Sequence, residues 1–419
     1  MNISDKALKY IWYPCAQMST YQNFKPLPIK RAYGSYVEMD DGHRVIDAIS
    51  SWWCKSLGHS HPRLQEALIQ QMAKFEHVMQ PHMANETIVN LSEKLAGLTK
   101  TLCKSFYASD GSTAVEIALK MSLHAQKILG NTYKTKFIAL KNSYHGETIA
   151  TLSVSDVGKY KNAYQELLFN TKFIKELPYV HKIQDNNYWE KIEIFLEENK
   201  METAAIIVEP IIQGAGGMKI YSPDLLKNIR KWTLKNNIHL IADEIMTGIG
   251  RTGKMLACQH ASIDPDFLIL SKGLTSGMLP LSVCLTSNQV YDLFYQNDPF
   301  LHSNTHYGNA LAASVALEVL NIFEQENIIL KASQLNMKAK MESIANQTGL
   351  LANIRSIGSI VAADLINIDG FKLYQNAMKN GAILRPLGNC LYWLPPLNTT
   401  TVVIEELSFI TLKSLLESR

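Results

Sequence analysis

Three apolar runs in the middle of the chain each stop on a charged residue. They are Ala204-Ala205-Ile206-Ile207-Val208-Glu209-Pro210, Ile238-His239-Leu240-Ile241-Ala242-Asp243-Glu244 and Phe267-Leu268-Ile269-Leu270-Ser271-Lys272-Gly273. Short β-branched runs of this kind predict buried parallel strands, because a strand covered on both faces reads as continuously apolar instead of alternating. In open α/β sheets the carboxyl ends of such strands form the edge where ligands bind. The pattern therefore predicts an α/β fold that delivers carboxylates and one amine to a single edge.

Length and composition narrow the class. A chain of 419 residues allows two or three domains and a large core. The net charge of +3 gives no reason to expect nucleic acid or an anionic membrane as partner. Six cysteines, at 15, 54, 103, 258, 284 and 390, include no C-x-x-C pair, so neither a disulfide framework nor a metal site is suggested and a reducing cytoplasm fits best. The first residues, Met1-Asn2-Ile3-Ser4-Asp5-Lys6, lack the basic-then-apolar order of an export signal. No apolar run approaches membrane-spanning length.

Residues 1–61 are rich in turn signals, among them Pro26, Pro28, Gly34 and Asp40-Asp41-Gly42. Over 62–310 strand-like and helical patterns alternate, as in a wound, mostly parallel sheet flanked by helices. Helices are predicted over 115–128 and 225–235, and a strand over 137–140. From 311 to 419 helical patterns (311–323, then 330–348) precede short strands at 360–365 and 391–394. The two ends of the chain are expected to pack together as a smaller α+β domain.

Several groups could carry chemistry. Lys272 ends an apolar strand in a Ser-Lys-Gly turn, where desolvation would lower its pKa. Asp243 lies 29 residues upstream, room for one helix and a return strand. It serves equally well as a helix cap, and Glu244 beside it must point to the opposite face. A carboxylate and an amine at one edge are what pyridoxal phosphate requires, one for its pyridinium nitrogen and one for its aldehyde. Ser109-Asp110-Gly111-Ser112-Thr113 precedes a helix and could cradle a phosphate or simply cap it. Tyr144 could stack on a flat ring or fill the core. Trp52-Trp53 suits a pocket wall or ordinary core, and Arg251 and Arg385 are candidate carboxylate clamps. His59-Ser60-His61 offers H-x-H spacing without an acidic neighbour in sequence, and a turn before Pro62 is the simpler role.

Together these segments resemble the class III pyridoxal-phosphate-dependent aminotransferases, over nearly the whole chain. The resemblance is carried by Ile241-Ala242-Asp243-Glu244-Ile245, Gly248-Ile249-Gly250-Arg251-Thr252-Gly253 and Ser271-Lys272-Gly273, with Ser143-Tyr144-His145-Gly146-Glu147-Thr148 and Glu209-Pro210-Ile211-Ile212-Gln213-Gly214. It implies the fold-type I transferase architecture: a large domain with a mostly parallel sheet, plus a smaller domain built from both chain ends. It implies pyridoxal 5′-phosphate as cofactor, with Lys272 as the Schiff-base lysine and Asp243 on the pyridine nitrogen. Gly111 and Ser112 would hold the phosphate, Tyr144 would stack on the ring and Glu209 would lie near the cofactor hydroxyl. His302-Ser303-Asn304-Thr305-His306 matches a loop that reaches the neighbouring subunit's phosphate through Thr305, which implies a homodimer with shared sites.

Within the family, Ser51-Trp52-Trp53, Arg385-Pro386-Leu387-Gly388 and Leu391-Tyr392-Trp393-Leu394-Pro395-Pro396 are similar to the branch that acts in biotin biosynthesis. That implies S-adenosylmethionine as donor and 8-amino-7-oxononanoate as acceptor, with Arg385 on the substrate carboxylate and Trp52, Trp53, Tyr144 and Gly308 around the substrate. Cys15, in Trp12-Tyr13-Pro14-Cys15-Ala16-Gln17-Met18, stands where many members carry an aromatic residue, and it reads as a small packed side chain. The alternatives are an ω-aminotransferase using ornithine, 4-aminobutyrate, a polyamine or lysine, and a pyridoxal-phosphate aminomutase or racemase. A non-enzymatic cofactor-binding regulator is disfavoured by the joint presence of lysine, aspartate, phosphate loop and arginine.

Overall fold

The computed structural model describes residues 1–180, 187–295 and 298–419. A seven-stranded sheet forms its centre: β1 (Leu102–Ala108), β2 (Lys136–Leu140), β3 (Lys172–Ile174), β4 (Thr203–Val208), β5 (His239–Asp243), β6 (Phe267–Leu270) and β7 (Ser282–Ser287). Their order across the sheet is β1-β7-β6-β5-β4-β2-β3. β4, β5 and β6 run parallel in register, with Ala242 opposite Val208 and Asp243 opposite Ile269. β7, which no sequence pattern singled out, is antiparallel to both β6 and β1.

The three apolar runs form β4, β5 and β6 because each is covered on both faces. Leu240, Ala242, Leu268 and Leu270 join one core with the Pro62–Met72, Glu86–Ala96, Pro223–Lys235 and Ala310–Glu326 helices. Ile241, Phe267 and Ile269 face the other way, toward the Gly111–Ile128 helix. All three strands end at the same edge.

A second core gathers Ile46 and Ala48 with side chains from Leu335 to Leu415. There a three-stranded antiparallel sheet, Leu351–Ile357, Ile360–Leu365 and Cys390–Trp393, carries the Met337–Thr348, Gly370–Asn380 and Thr401–Leu416 helices. The chain ends meet in this unit: Ile46 N–H donates to Gly381 O and Ile383 N–H to Ile46 O, both at 2.8 Å.

Two expectations change. The Ala310–Glu326 helix packs on the Pro62–Met72 and Glu86–Ala96 helices in the larger core, so the boundary expected at 310 falls nearer Leu335 by packing. The helix expected over 330–348 is two, Ile328–Ser333 and Met337–Thr348, parted where Asn336 takes a left-handed φ of 48°, a conformation asparagine tolerates better than most residues. Among the described residues no helix is long and apolar enough to cross a membrane.

Candidate active site

At the carboxyl edge of β4, β5 and β6 lies a cavity of about 170 Å³ whose lining includes Gly111, Ser112, Tyr144, Glu209, Asp243, Lys272 and Trp53. Seven of the residues singled out in the sequence therefore share one space. Most arrive from just past the end of a strand or from the start of a helix, whereas Trp53 ends the short Ser50–Trp53 turn.

Lys272 follows β6 and holds a left-handed φ of 42°, backbone strain of the sort that persists where surrounding structure fixes it. Lys272 is half-buried, and desolvation lowers its pKa against the opposing pull of Asp243 and Glu209. Among the described residues no hydrogen-bond acceptor reaches it; it lies 4.6 Å from the centre of the Trp53 ring. A desolvated amine without an acceptor is a nucleophile ready for a carbonyl.

Asp243 and Glu244 diverge as strand alternation requires. Asp243 Oδ2 accepts from His145 Nδ1 at 2.8 Å, and Oδ1 accepts from the Ile245 N–H at 3.1 Å. The carboxylate cannot donate, so the imidazole carries its proton on Nδ1, and buried Nε2 has no partner among the described residues. Glu244 instead accepts from Ala257 N–H at 2.6 Å and Cys258 N–H at 2.7 Å on the far face. Burial pushes its carboxyl up to about 7 despite those donors. Glu209 is held by the Tyr144 and Gly214 N–H groups, each at 2.9 Å, and burial pushes it to about 7 as well.

Asp110 caps the Gly111–Ile128 helix, accepting from Thr113 N–H at 2.9 Å. Capping and cradling coexist, since the Gly111 and Ser112 amides have no partner within a helix at its first turn and can point at an anion. Close approach depends on glycine here: a Cβ on Gly146 would lie 2.2 Å from Ser112 Oγ. Tyr144 donates to Glu147 Oε1 at 2.9 Å, and its ring lies 5.5 Å from that of Tyr160.

These groups suit pyridoxal phosphate: an amine for its aldehyde, a carboxylate fixed from behind for its ring nitrogen, unpaired amides for its phosphate. Buried Thr247 Oγ1 in the lining also lacks a partner among the described residues.

Other expected residues lie elsewhere. Trp52 and Arg385 are not in the cavity lining; they stack on each other, with the guanidinium carbon 4.1 Å from the ring centre. Thr305 and Gly308 lie on a loop packed against 77–88, where His77 Nε2 meets Thr305 O at 2.9 Å and Gly308 neighbours Ile88.

Three readings need correction. Arg251 is no carboxylate clamp: its buried guanidinium donates to Pro395 O at 2.6 Å and Ser359 Oγ at 3.1 Å, and burial lowers its pKa to about 9. Cys15 is exposed instead of packed. His59 does have an acidic partner, Asp47, whose Oδ2 lies 2.9 Å from Nε2.

Asp47 is one of two groups near the site that sequence reasoning missed. It supports Ser50, Ser51, Trp52 and Trp53, four consecutive non-glycine residues with φ of 51°, 44°, 71° and 74°. Each such residue costs roughly 1–2 kcal/mol relative to a right-handed turn. His145, the other, sat inside a quoted motif, but nothing in the motif indicated that it faces Asp243.

The family model for class III aminotransferases matches residues 17–412. The adenosylmethionine-8-amino-7-oxononanoate aminotransferase of Helicobacter pylori is 39% identical, covering 94% of this chain and 93% of its own. The Aquifex aeolicus protein of the same name is 35% identical, with 95% and 92% covered. The crystal structure of the like-named Methanocaldococcus jannaschii protein superimposes with a TM-score of 0.91 at 31% identity over 99% of both chains. An omega transaminase from Pseudomonas jessenii in complex with PMP gives 0.92 at 26% identity, covering 100% of this chain and 98% of that one. With the whole sheet, the strand-end lysine and aspartate and a match of this length in agreement, the chain belongs to the class III aminotransferases.

Proposed function

We propose that the chain transfers an amino group from S-adenosylmethionine to 8-amino-7-oxononanoate, giving 7,8-diaminononanoate for biotin synthesis, with pyridoxal 5′-phosphate as cofactor. The observation that carries the reading is Lys272 and Asp243 facing one cavity, in a chain similar along its length to relatives named for this donor and acceptor. When bound, the cofactor supplies an aldehyde that condenses with amines and a ring that draws electrons from the adjacent carbon.

The protein's own groups do the rest. Asp243, oriented by His145, holds positive charge at the ring nitrogen. Gly111 and Ser112 anchor the phosphate, and Tyr144 flanks the ring. Lys272 Nζ, its pKa lowered by burial, accepts the proton from the donor's α-carbon and returns one during the acceptor half-reaction. Arg385, held flat by Trp52, binds the acceptor's carboxylate. The working unit is a homodimer in which the loop bearing Thr305 and Gly308 completes the neighbouring subunit's site.

An ω-aminotransferase is the second reading, supported by the likeness to the Pseudomonas jessenii enzyme and by exposed Cys15 in place of an aromatic wall. Single-donor mixing separates the two. S-adenosylmethionine should bleach the protein's visible cofactor absorption, and 8-amino-7-oxononanoate should restore it. Bleaching by ornithine or 4-aminobutyrate, with S-adenosylmethionine inert, would overturn the proposal.

A further inference from the structure

The segment Ser50–Trp53 is a single turn of left-handed helix. Beyond its four left-handed φ values, Trp53 N–H donates to Ile49 O and Cys54 N–H to Ser50 O, both at 2.8 Å. L-residues visit this conformation singly, not in runs, so something outside the turn must hold it. That group is Asp47, whose side chain is fully buried. Its Oδ1 accepts from the Ser51 N–H at 2.9 Å, and its Oδ2 accepts from Ser51 Oγ at 2.6 Å and meets His59 Nε2 at 2.9 Å. His59 is itself fixed, pairing both backbone groups with Gly34 at 3.0 and 2.8 Å.

The turn sends two consecutive indoles to two different cations, Trp52 to Arg385 at 4.1 Å and Trp53 to Lys272 at 4.6 Å. Tyr392 fixes the second indole, accepting from Trp53 Nε1 at 3.1 Å. We propose that Asp47 is a positioning residue: by clamping the left-handed turn it sets the Trp52–Arg385 and Trp53–Lys272 contacts together, so that one buried carboxylate aligns the group that binds the substrate carboxylate with the amine that does the chemistry. Asp47 is not in the cavity lining and acts only through the two tryptophans. The inference rests on the proposed function for what Arg385 binds, but not for the geometry of the turn.

The test uses the full chain with Asp47→Asn, a substitution of nearly equal shape that removes the charge and places an NH₂ among donors. Labelled with 5-fluorotryptophan, the protein has six indoles, and those of Trp52 and Trp53 are identified by Trp→Phe variants. Asp47→Asn should move these two fluorine resonances and leave the other four in place, with or without added pyridoxal phosphate. In turnover it should raise KM for 8-amino-7-oxononanoate by about tenfold and lower kcat by about threefold. Adding Ser51→Gly, which permits the left-handed turn without a clamp, should return the resonances and bring KM to within about threefold of wild type.

Unmoved resonances in Asp47→Asn, or a double variant that folds but recovers neither signal, would overturn the proposal. Should Asp47→Asn fail to fold, His59→Ala removes one clamp contact and should produce the same split at smaller size. Wild-type resonances and KM in that variant would equally overturn it. If the wild-type chain does not turn over this acceptor, the functional reading fails, and the fluorine spectra alone decide the role of Asp47.

Discussion

A desolvated lysine that meets no acceptor among the described residues is costly to charge, and that cost would suit Lys272 to its proposed role. Lys272→Ala should abolish turnover, with a loss of at least about a thousandfold. Borohydride treatment of the cofactor-loaded protein should add the cofactor's mass to the peptide containing Lys272 in wild type and not in the variant; labelling of a different lysine would refute the assignment. Glu244 shows how one sequence signal can hold two roles. Asp243-Glu244 reads as a pair of candidate acids, and only alternation separates them: one faces the cavity, the other ties down Ala257 and Cys258. Its folded pKa of about 7 exceeds the unfolded value of about 4.3. The associated stability is therefore complete below about pH 4 and lost as pH rises through 7, on the order of 4 kcal/mol in all. Glu244→Gln should lower absolute stability, since its NH₂ meets an amide donor. It should also flatten the fall in unfolding free energy between pH 5 and 8 measured by urea titration, and an unchanged slope would contradict this account.

At the level of elements, strands and helices with dense local signals were legible and the unusual turn was not. The apolar runs ending at Glu209, Asp243 and Lys272 became β4, β5 and β6 because burial on both faces is written directly in their composition. The helix expected over 115–128 begins four residues earlier, at Gly111, because its first turn is polar and is set by the Asp110 cap, not by apolar periodicity. Ser50–Trp53 gave no sign of left-handedness, since no local propensity favours it and its support comes from Asp47 and His59, with Ser50 Oγ also donating to Leu394 O at 2.6 Å. The approach of Gly146 to Ser112 leaves little spare room. Gly146 has a φ of 131°, and an added Cβ would meet Ser112 Oγ and also lie 2.9 Å from Thr151 Oγ1. Gly146→Ala should weaken cofactor affinity by about tenfold or more, read by absorbance titration, while far-ultraviolet circular dichroism stays at the wild-type signal. Unaltered affinity would mean that the Ser112 side of the cavity does not hold the phosphate.

Over the whole molecule, most of the cavity is built at a single sheet edge, yet four expected site residues, Trp52, Arg385, Thr305 and Gly308, are outside its lining. Thr305 and Gly308 sit on a loop fixed at its far end by Asn309, which caps the Ala310–Glu326 helix by accepting from Ala312 N–H at 3.0 Å. Leu301 on the same stretch is 84% exposed, and Met79 and Met83, in the segment packed against the loop, are 60% and 51% exposed. Large apolar side chains held in the open on an ordered loop favour burial by a second copy, and a twofold arrangement would carry Thr305 to the neighbouring subunit's phosphate. Subunit mixing tests this without further structural work. Lys272→Ala removes the amine from its own site, whereas Thr305→Glu sets a negative charge against the phosphate of the other. Each variant alone should be inactive. After co-refolding of equal amounts, about half the dimers are mixed. Each mixed dimer joins both defects in one site and leaves its second site intact, so activity should return to about a quarter of wild type. A mixture no more active than the mean of its parents would show that each chain completes its own site, and Thr305 would then lose its assigned role.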